Sequence, residues 1–364
     1  MTAAESPLPP SLPPALSRES LRRLALALAL GTAGGAVFWG LRLPLPWMLG
    51  AVLTVSVAAL SGLRPAVPQG LRSGMLAILG VMLGSAFTPG LIDRLGPWLP
   101  SLAVLLVVSV VTPWIAGAVF RRFGGFDRVT AYFAGTPGGI NEMVMVGTAL
   151  GGDERTIALV HALRIMIVVF IVAAWFRLVE GAAAGQGAAS APWLMDGAFG
   201  PADLAWLAAA AVVGRPVGRL LRLPAPQLTG PMVLAAVIHL MGLTELQPPA
   251  ELIAVAQVVV GSALGARFVG AAPLRLIRTA VLAAGSSLVM LGLAALAAWG
   301  LASVTGLPFL LLLLAYVPGG LAEMSLIGLA LGMDVPFVAT HHVVRIALVI
   351  AVAPLLFRLT GKTE

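Results

Sequence analysis

Two stretches of this chain place helix breakers and ionisable side chains inside otherwise apolar sequence. In the first, Pro137-Gly138-Gly139 is followed by Glu142, then by His161 and Arg164; in the second, Pro318-Gly319-Gly320 is followed by Glu323, then by His342 and Arg345. Every pair stands at one offset, 318 − 137 = 181, without a gap. A duplication is the simplest origin. A carboxylate on the arm leaving a helix break can accept a proton, ligate Na⁺ or pair with a cation. His and Arg three residues apart share one helix face, where they could neutralise an anionic substrate or tune the proton affinity of the carboxylate. An internal Glu–Arg ion pair, holding the broken segment against the next helix, would account for the same residues, since buried charges are usually paired. Thr136 and Asn141 of the first stretch are Val317 and Ala322 in the second, so polar coordination leans on the first copy unless these positions have only drifted in packing.

These groups must be positioned by a membrane-embedded scaffold. Of 364 residues, 59% are hydrophobic and 10% charged, against about 25% charged in a soluble domain, and the mean hydropathy is +1.01. Runs such as 24–43, 102–120, 157–176 and 281–301 are long enough to cross roughly 30 Å of hydrocarbon as helix. The expected fold class is an all-α polytopic membrane protein, with the lipid bilayer as its first partner. The net charge of +7 comes from arginines scattered in short loops, which fits membrane topology and not nucleic-acid binding. There is no cysteine, which excludes disulfides and thiolate chemistry. Residues 1–20, with five prolines between Pro7 and Pro14, read as a disordered tail. The apolar run after Arg22-Arg23 is expected as an uncleaved first span.

The duplication extends beyond the breaks. Arg42-Leu43-Pro44 with Pro46 and Gly50 matches Arg222-Leu223-Pro224 with Pro226 and Gly230, at 222 − 42 = 180. One single-residue gap thus aligns a first repeat, 21–180, with a second, 201–361, across a Gly/Ala/Ser-rich linker at 181–200. Positive loops follow the second and fourth apolar segments of the first half (Arg64, Arg72; Arg121, Arg122, Arg128), but the first and third of the second half (Arg219, Arg222; Arg275, Arg278). By the positive-inside rule the two halves are inverted relative to each other, which needs an odd number of crossings in each. The fifth segment of each half, broken by Pro-Gly-Gly, is expected to enter and leave on one side. This gives about ten transmembrane helices and two re-entrant or broken helical hairpins, with both termini cytoplasmic. Tips entering from opposite faces would meet near the midplane, where inverted-repeat transporters bind substrate.

No nucleophile elbow, phosphate loop, zincin or dinucleotide pattern occurs in a suitable context, and no metal-ligand spacing is present; neither catalysis nor a metal or other cofactor is expected. The paired strings PGGINEM and PGGLAEM, each followed by GxALGxD and HxxRI, resemble the membrane AbrB family. That resemblance covers both repeats and implies two copies of one module in the bacterial inner membrane, under labels that range from ammonia monooxygenase to transcriptional regulator. Four histidines, two of them adjacent, do not propose the ligand cluster that a copper monooxygenase would need.

The expected function is a secondary transporter of a small polar or anionic metabolite working by alternating access. Coupling to H⁺ or Na⁺ and homo-oligomer formation are left open. A membrane sensor that affects gene expression indirectly is the alternative, and a membrane enzyme is third. The threading has a direct test in this cysteine-free chain. A single cysteine at Ser190 is expected to react with an impermeant reagent added outside; reaction only from the cytoplasmic side would overturn the inverted arrangement.

Overall fold

The computed structural model describes residues 17–178, 200–271 and 273–360, and every regular element in them is helical. Most of the expected tail, residues 1–16, and the linker as far as residue 199 lie outside the described residues. The first helix begins inside the expected tail, at Arg18, because the Ser17 side chain accepts from Ser20 N–H and caps it.

The first half contains α1 (Arg18–Gly40), α2 (Pro46–Leu60), α3 (Gln69–Ser85), α4 (Leu95–Val119, continued by a π turn Phe120–Gly124), α5 (Arg128–Gly135), α6 (Ile140–Ala149) and α7 (Glu154–Leu178). The second contains α8 (Pro201–Leu220), α9 (Pro226–Leu240), α10 (Ala250–Gly265, continued by a 3-10 turn Ala266–Phe268), α11 (Pro273–Thr305), α12 (Phe309–Tyr316), α13 (Leu321–Ala330) and α14 (Val335–Thr360). The boundaries follow the sequence offsets: α5 and α12 begin 309 − 128 = 181 residues apart, and α2 and α9 begin 226 − 46 = 180 apart. The tight turns before α2 and α9 also match. Leu45 and Ala225 hold φ of 46° and 49°, in the left-handed region that non-glycine residues seldom occupy. Each is followed by a proline at the first helical position, where a missing N–H costs nothing.

Among the described residues, six helices are long and apolar enough to cross a membrane: α1, α4 with its π turn, α7, α10 with its 3-10 turn, most of α11, and α14. The chain is therefore a polytopic all-helical membrane protein. The 15-residue helices α2 and α9 are apolar but reach only about 22 Å.

Two packed groups emerge. In one, α2 lies on α1 and α10 while α9 lies on α8 and α3. Glycine sets the spacing: a Cβ at Gly261 would stand 2.6 Å from Met48 O, and one at Gly80 would stand 3.2 Å from Met232 N. Without side chains at these positions the helix backbones touch, the close approach that drives helix association where lipid removes the hydrophobic driving force. In the other group, α5 packs on α4 and α7 and α12 on α11 and α14, while α4 meets α14 and α7 meets α11 across the halves.

The broken segments owe their form to local sequence. Proline and two glycines stop α5 at Gly135, and α6 starts at Ile140; the same residues separate α12 from α13. The two arms of the first segment run antiparallel: a Cβ at Gly147 of α6 would sit 3.2 Å from Phe133 Cβ of α5, and Asp153 N–H donates to Thr130 Oγ1 at 2.8 Å. The GxALGxD string ends one helix and begins the next. Gly151 (φ 94°) and Gly332 (φ 67°) terminate α6 and α13 in the left-handed conformation, with Gly152 N–H donating to Gly147 O and Met333 N–H to Gly328 O. Asp153 accepts from Arg155 N–H, and Asp334 accepts from Phe337 N–H, at the starts of α7 and α14.

Close glycine contact makes a measurable demand on stability. Gly80→Val and Gly261→Val should each cost about 1–3 kcal/mol by overpacking, whereas Gly74→Ala on α3, with no atom within 4 Å of its new Cβ, should be neutral. Thermal unfolding of the purified protein checks the contrast; equal melting temperatures for all three variants would contradict it.

Candidate functional site

The ends of the broken helices create the electrostatic problem that the ionisable residues solve. Thr136, Pro137, Gly138 and Gly139, with Pro318, Gly319 and Gly320, lie between half-helices whose last carbonyls and first N–H groups have no intrahelical partner. His161 and Arg164 on α7 take the carbonyl side of the first break. His161 Nε2–H donates to Phe133 O at 2.9 Å, Arg164 Nη1–H donates to Thr136 O at 3.0 Å, and Arg164 Nη2–H donates to His161 Nδ1 at 3.0 Å. The second break repeats this. His342 Nε2–H donates to Leu314 O at 2.9 Å, and Arg345 donates to Val317 O at 2.7 Å, Gly319 O at 3.1 Å and His342 Nδ1 at 2.9 Å. Because Nδ1 accepts from a guanidinium while Nε2 faces a carbonyl, each imidazole is the neutral Nε2–H tautomer. All four side chains are buried.

The Glu–Arg ion pair expected from sequence is not formed. Among the described residues neither Arg164 nor Arg345 has a carboxylate within ion-pair distance. Glu142 and Glu323 are instead the third residues of α6 and α13, and their carboxylates fold back over Gly139 and Gly320, the residues capping those helices. The physical reason is helix polarity. A helix C-terminus attracts a guanidinium and an N-terminus attracts a carboxylate, so the two charges go to opposite sides of the break. The cations whose charge bears on Glu323 are Arg72 of α3 and Arg267 beyond α10, in addition to the helix end.

Pro137 and Pro318 line one small cavity, about 10 Å³ and so room for a single water, together with Ser109, Thr112, Met290, Tyr316 and Arg345. Ser109 and Met290 occupy equivalent positions, 290 − 109 = 181. The cavity thus lies where matching residues of the halves meet. Of the residues expected to form a site, Pro137, Pro318 and Arg345 come together here. His161, His342 and Arg164 support the breaks, Thr136 spends its hydroxyl on Tyr132 O at 2.7 Å, and Asn141 is exposed. Sequence reasoning missed Ser109, Thr112 and Tyr316; the only signal was polar character within an apolar run. It also left His341 without a role, although His341 Nε2 meets Ser101 Oγ at 2.9 Å and Ser101 Oγ meets Tyr316 OH at 3.0 Å. No group of three His, Cys, Asp or Glu suited to a metal occurs among the described residues.

A polytopic helical membrane protein with paired Pro-Gly-Gly breaks, each capped by His and Arg, is the class that this geometry defines. The chain belongs to the AbrB family: the model described as "Transition state regulatory protein AbrB" matches residues 47–361. It is 27% identical over 362 residues to the uncharacterized protein YhjN of Bacillus subtilis (strain 168), covering 94% of each chain. It is 26% identical over 347 residues to a protein of Escherichia coli (strain K12) whose name proposes it as the regulator AbrB, covering 95% of this chain and 97% of that one. With bacterial relatives of full length and several membrane-length helices, it is a multi-pass bacterial inner-membrane protein.

If the arginines serve carbonyls and not the glutamates, charge removal should not be compensated in pairs. Arg345→Gln and Arg164→Gln are each expected to cost about 2–3 kcal/mol by stranding buried carbonyls. Adding Glu323→Gln or Glu142→Gln, in matched or crossed combination, should then change stability additively to within about 0.5 kcal/mol. Double-mutant cycles by chemical unfolding test this, and restored stability in any Glu/Arg double variant would reinstate an ion pair.

Proposed function

We propose that the protein is a secondary transporter that binds a small anionic metabolite where its two helix breaks meet and carries it by alternating access. The observation that carries this reading is the shared cavity: the prolines at both breaks line it, with a buried arginine between them. Converging half-helix ends at a repeat interface are the substrate-binding arrangement of inverted-repeat transporters. In the proposed threading, α1–α4 and α7 cross in the first half and α8–α11 and α14 in the second. Five crossings per half make the repeats inverted, and ten in all leave both termini cytoplasmic.

Two contacts support re-entrant hairpins. The bond between Asp153 N–H and Thr130 Oγ1 joins the beginning of the first segment to its end, which supports a hairpin over a full crossing. Arg72, assigned to the cytoplasmic side by loop charge, and Arg267, in the 3-10 turn at the end of α10, bear on Glu323, which fits a hairpin tip reaching in from the other face. Coupling to H⁺ or Na⁺ through Glu142 and Glu323 belongs to the same proposal, as does any homo-oligomer.

The names found by comparison lean the other way. The family description and the Escherichia coli relative both speak of regulation, which favours a membrane sensor that binds a ligand at this site without moving it. Reconstitution separates the two. Proteoliposomes loaded with a bacterial metabolite extract should lose at least one small anion faster than empty-membrane controls, as read by mass spectrometry. Replacement of Gly138-Gly139 by Ala-Ala, which sets a Cβ 2.9 Å from Val349 Cγ1, should abolish that flux while the protein still inserts. Ligand binding without flux in the wild type would favour the sensor.

A further inference from the structure

We propose that the cavity between the breaks, water-sized as it stands, widens into a carboxylate subsite in which Arg345 Nε and Ser109 Oγ hold the anionic group of the ligand; this rests on the binding reading above and narrows its substrate class. Most polar groups around the cavity are already engaged. Thr112 donates to Val108 O at 2.6 Å, Tyr316 OH donates to Ser101 O at 2.8 Å, and the two Nη groups of Arg345 serve backbone carbonyls and His342. Two polar atoms are left with no partner, Arg345 Nε and Ser109 Oγ. Their residues are each 3% exposed, and both line the cavity. The guanidinium N–H can only donate, and leaving a buried donor unmatched costs about 1–3 kcal/mol, so the cavity calls for an acceptor.

Charge selects an anion over a neutral group. Arg164 lies close enough for its charge to act on Arg345, its own Nε is likewise unpartnered, and no carboxylate of the described residues pairs with either guanidinium. A cation would face both. Geometry favours a planar carboxylate over a phosphate: two donors are available, and the remaining wall, Val108, Met290 and the two prolines, is apolar. The donor pair is also one-sided. The residue equivalent to Ser109 is Met290, so the breaks offer one subsite and not two, and one anion per chain is expected.

The test uses the purified full-length protein and thermal unfolding in sodium acetate, sodium succinate, sodium phosphate or sodium chloride at equal ionic strength. Acetate or succinate should raise the melting temperature above the chloride value, because a ligand of the folded state stabilises it, and phosphate should not. Arg345→Lys removes carbonyl bonds and can unfold the chain, so Ser109→Ala decides the matter. It should leave the unliganded melting temperature unchanged and require about fivefold more carboxylate for the same shift. The proposal is overturned if neither carboxylate exceeds chloride, if phosphate matches them, or if Ser109→Ala responds like the wild type. Metabolite flux in vesicles that is indifferent to Ser109→Ala would also overturn the subsite while leaving transport standing.

Discussion

Everything around the two Pro-Gly-Gly breaks follows from one constraint: a helix interrupted inside protein exposes carbonyls on one side of the break and N–H groups on the other, and neither set can be left bare. The breaks are largely buried, and an unsatisfied backbone group in such a place costs several kcal/mol. The chain answers with side chains from the neighbouring helix on the carbonyl side and from the same segment on the N–H side. Arg164 and His161 reach from α7 to α5, Arg345 and His342 from α14 to α12, while Glu142 and Glu323 sit over the starts of α6 and α13. Each half-helix end meets charge of the sign that opposes its dipole.

The same constraint changes what the repeated motifs mean. Their spacing had suggested chemistry, yet most of the repeated residues are used up in building the break. HxxR is a clamp on the last carbonyls of a half-helix. GxALGxD is a left-handed glycine stop followed by an aspartate N-cap. Residues that recur in both halves solve a problem that both halves share. What differs between the halves is then the better guide to a site, and Ser109 opposite Met290 is one such difference at the cavity, beside Thr112 opposite Leu293 and Tyr316 opposite Gly135.

Much of the architecture was legible in the sequence because helix breakers and apolar length are local properties. Proline followed by two glycines interrupts a helix wherever it lies, and a 25-residue apolar helix such as α7 declares its membrane length in composition alone. The site was less legible because it is made by contacts distant in the chain. His341 and Ser101 are 240 residues apart, and nothing in either neighbourhood names the other. The expected Glu–Arg pair failed for a different reason. Opposite charges at suitable spacing offered an ion pair as one account of the motif, but the intervening break supplies each charge with a nearer partner in a helix end. Pair attraction in the sequence says nothing of backbone dipoles, which appear only once the break is placed.

The packing also says where any motion proposed for transport would fall. A cavity of about 10 Å³ has to widen before it can admit more than a water. Widening within the glycine-spaced group is opposed by backbone contacts that recur along α2, α3, α9 and α10, such as Gly261 on Met48 and Gly84 on Ala236; close-packed interiors resist small deformations and shift between discrete arrangements instead. The broken segments are differently held. Their breaks rest on single arginines and on caps. For the proposed transport, the broken segments with α4, α7, α11 and α14 would then move as a unit against the glycine-spaced group, with α13 against α3 as one contact between the two. That places the working asymmetry between the packed groups and not between the sequence repeats, since each group draws helices from both halves.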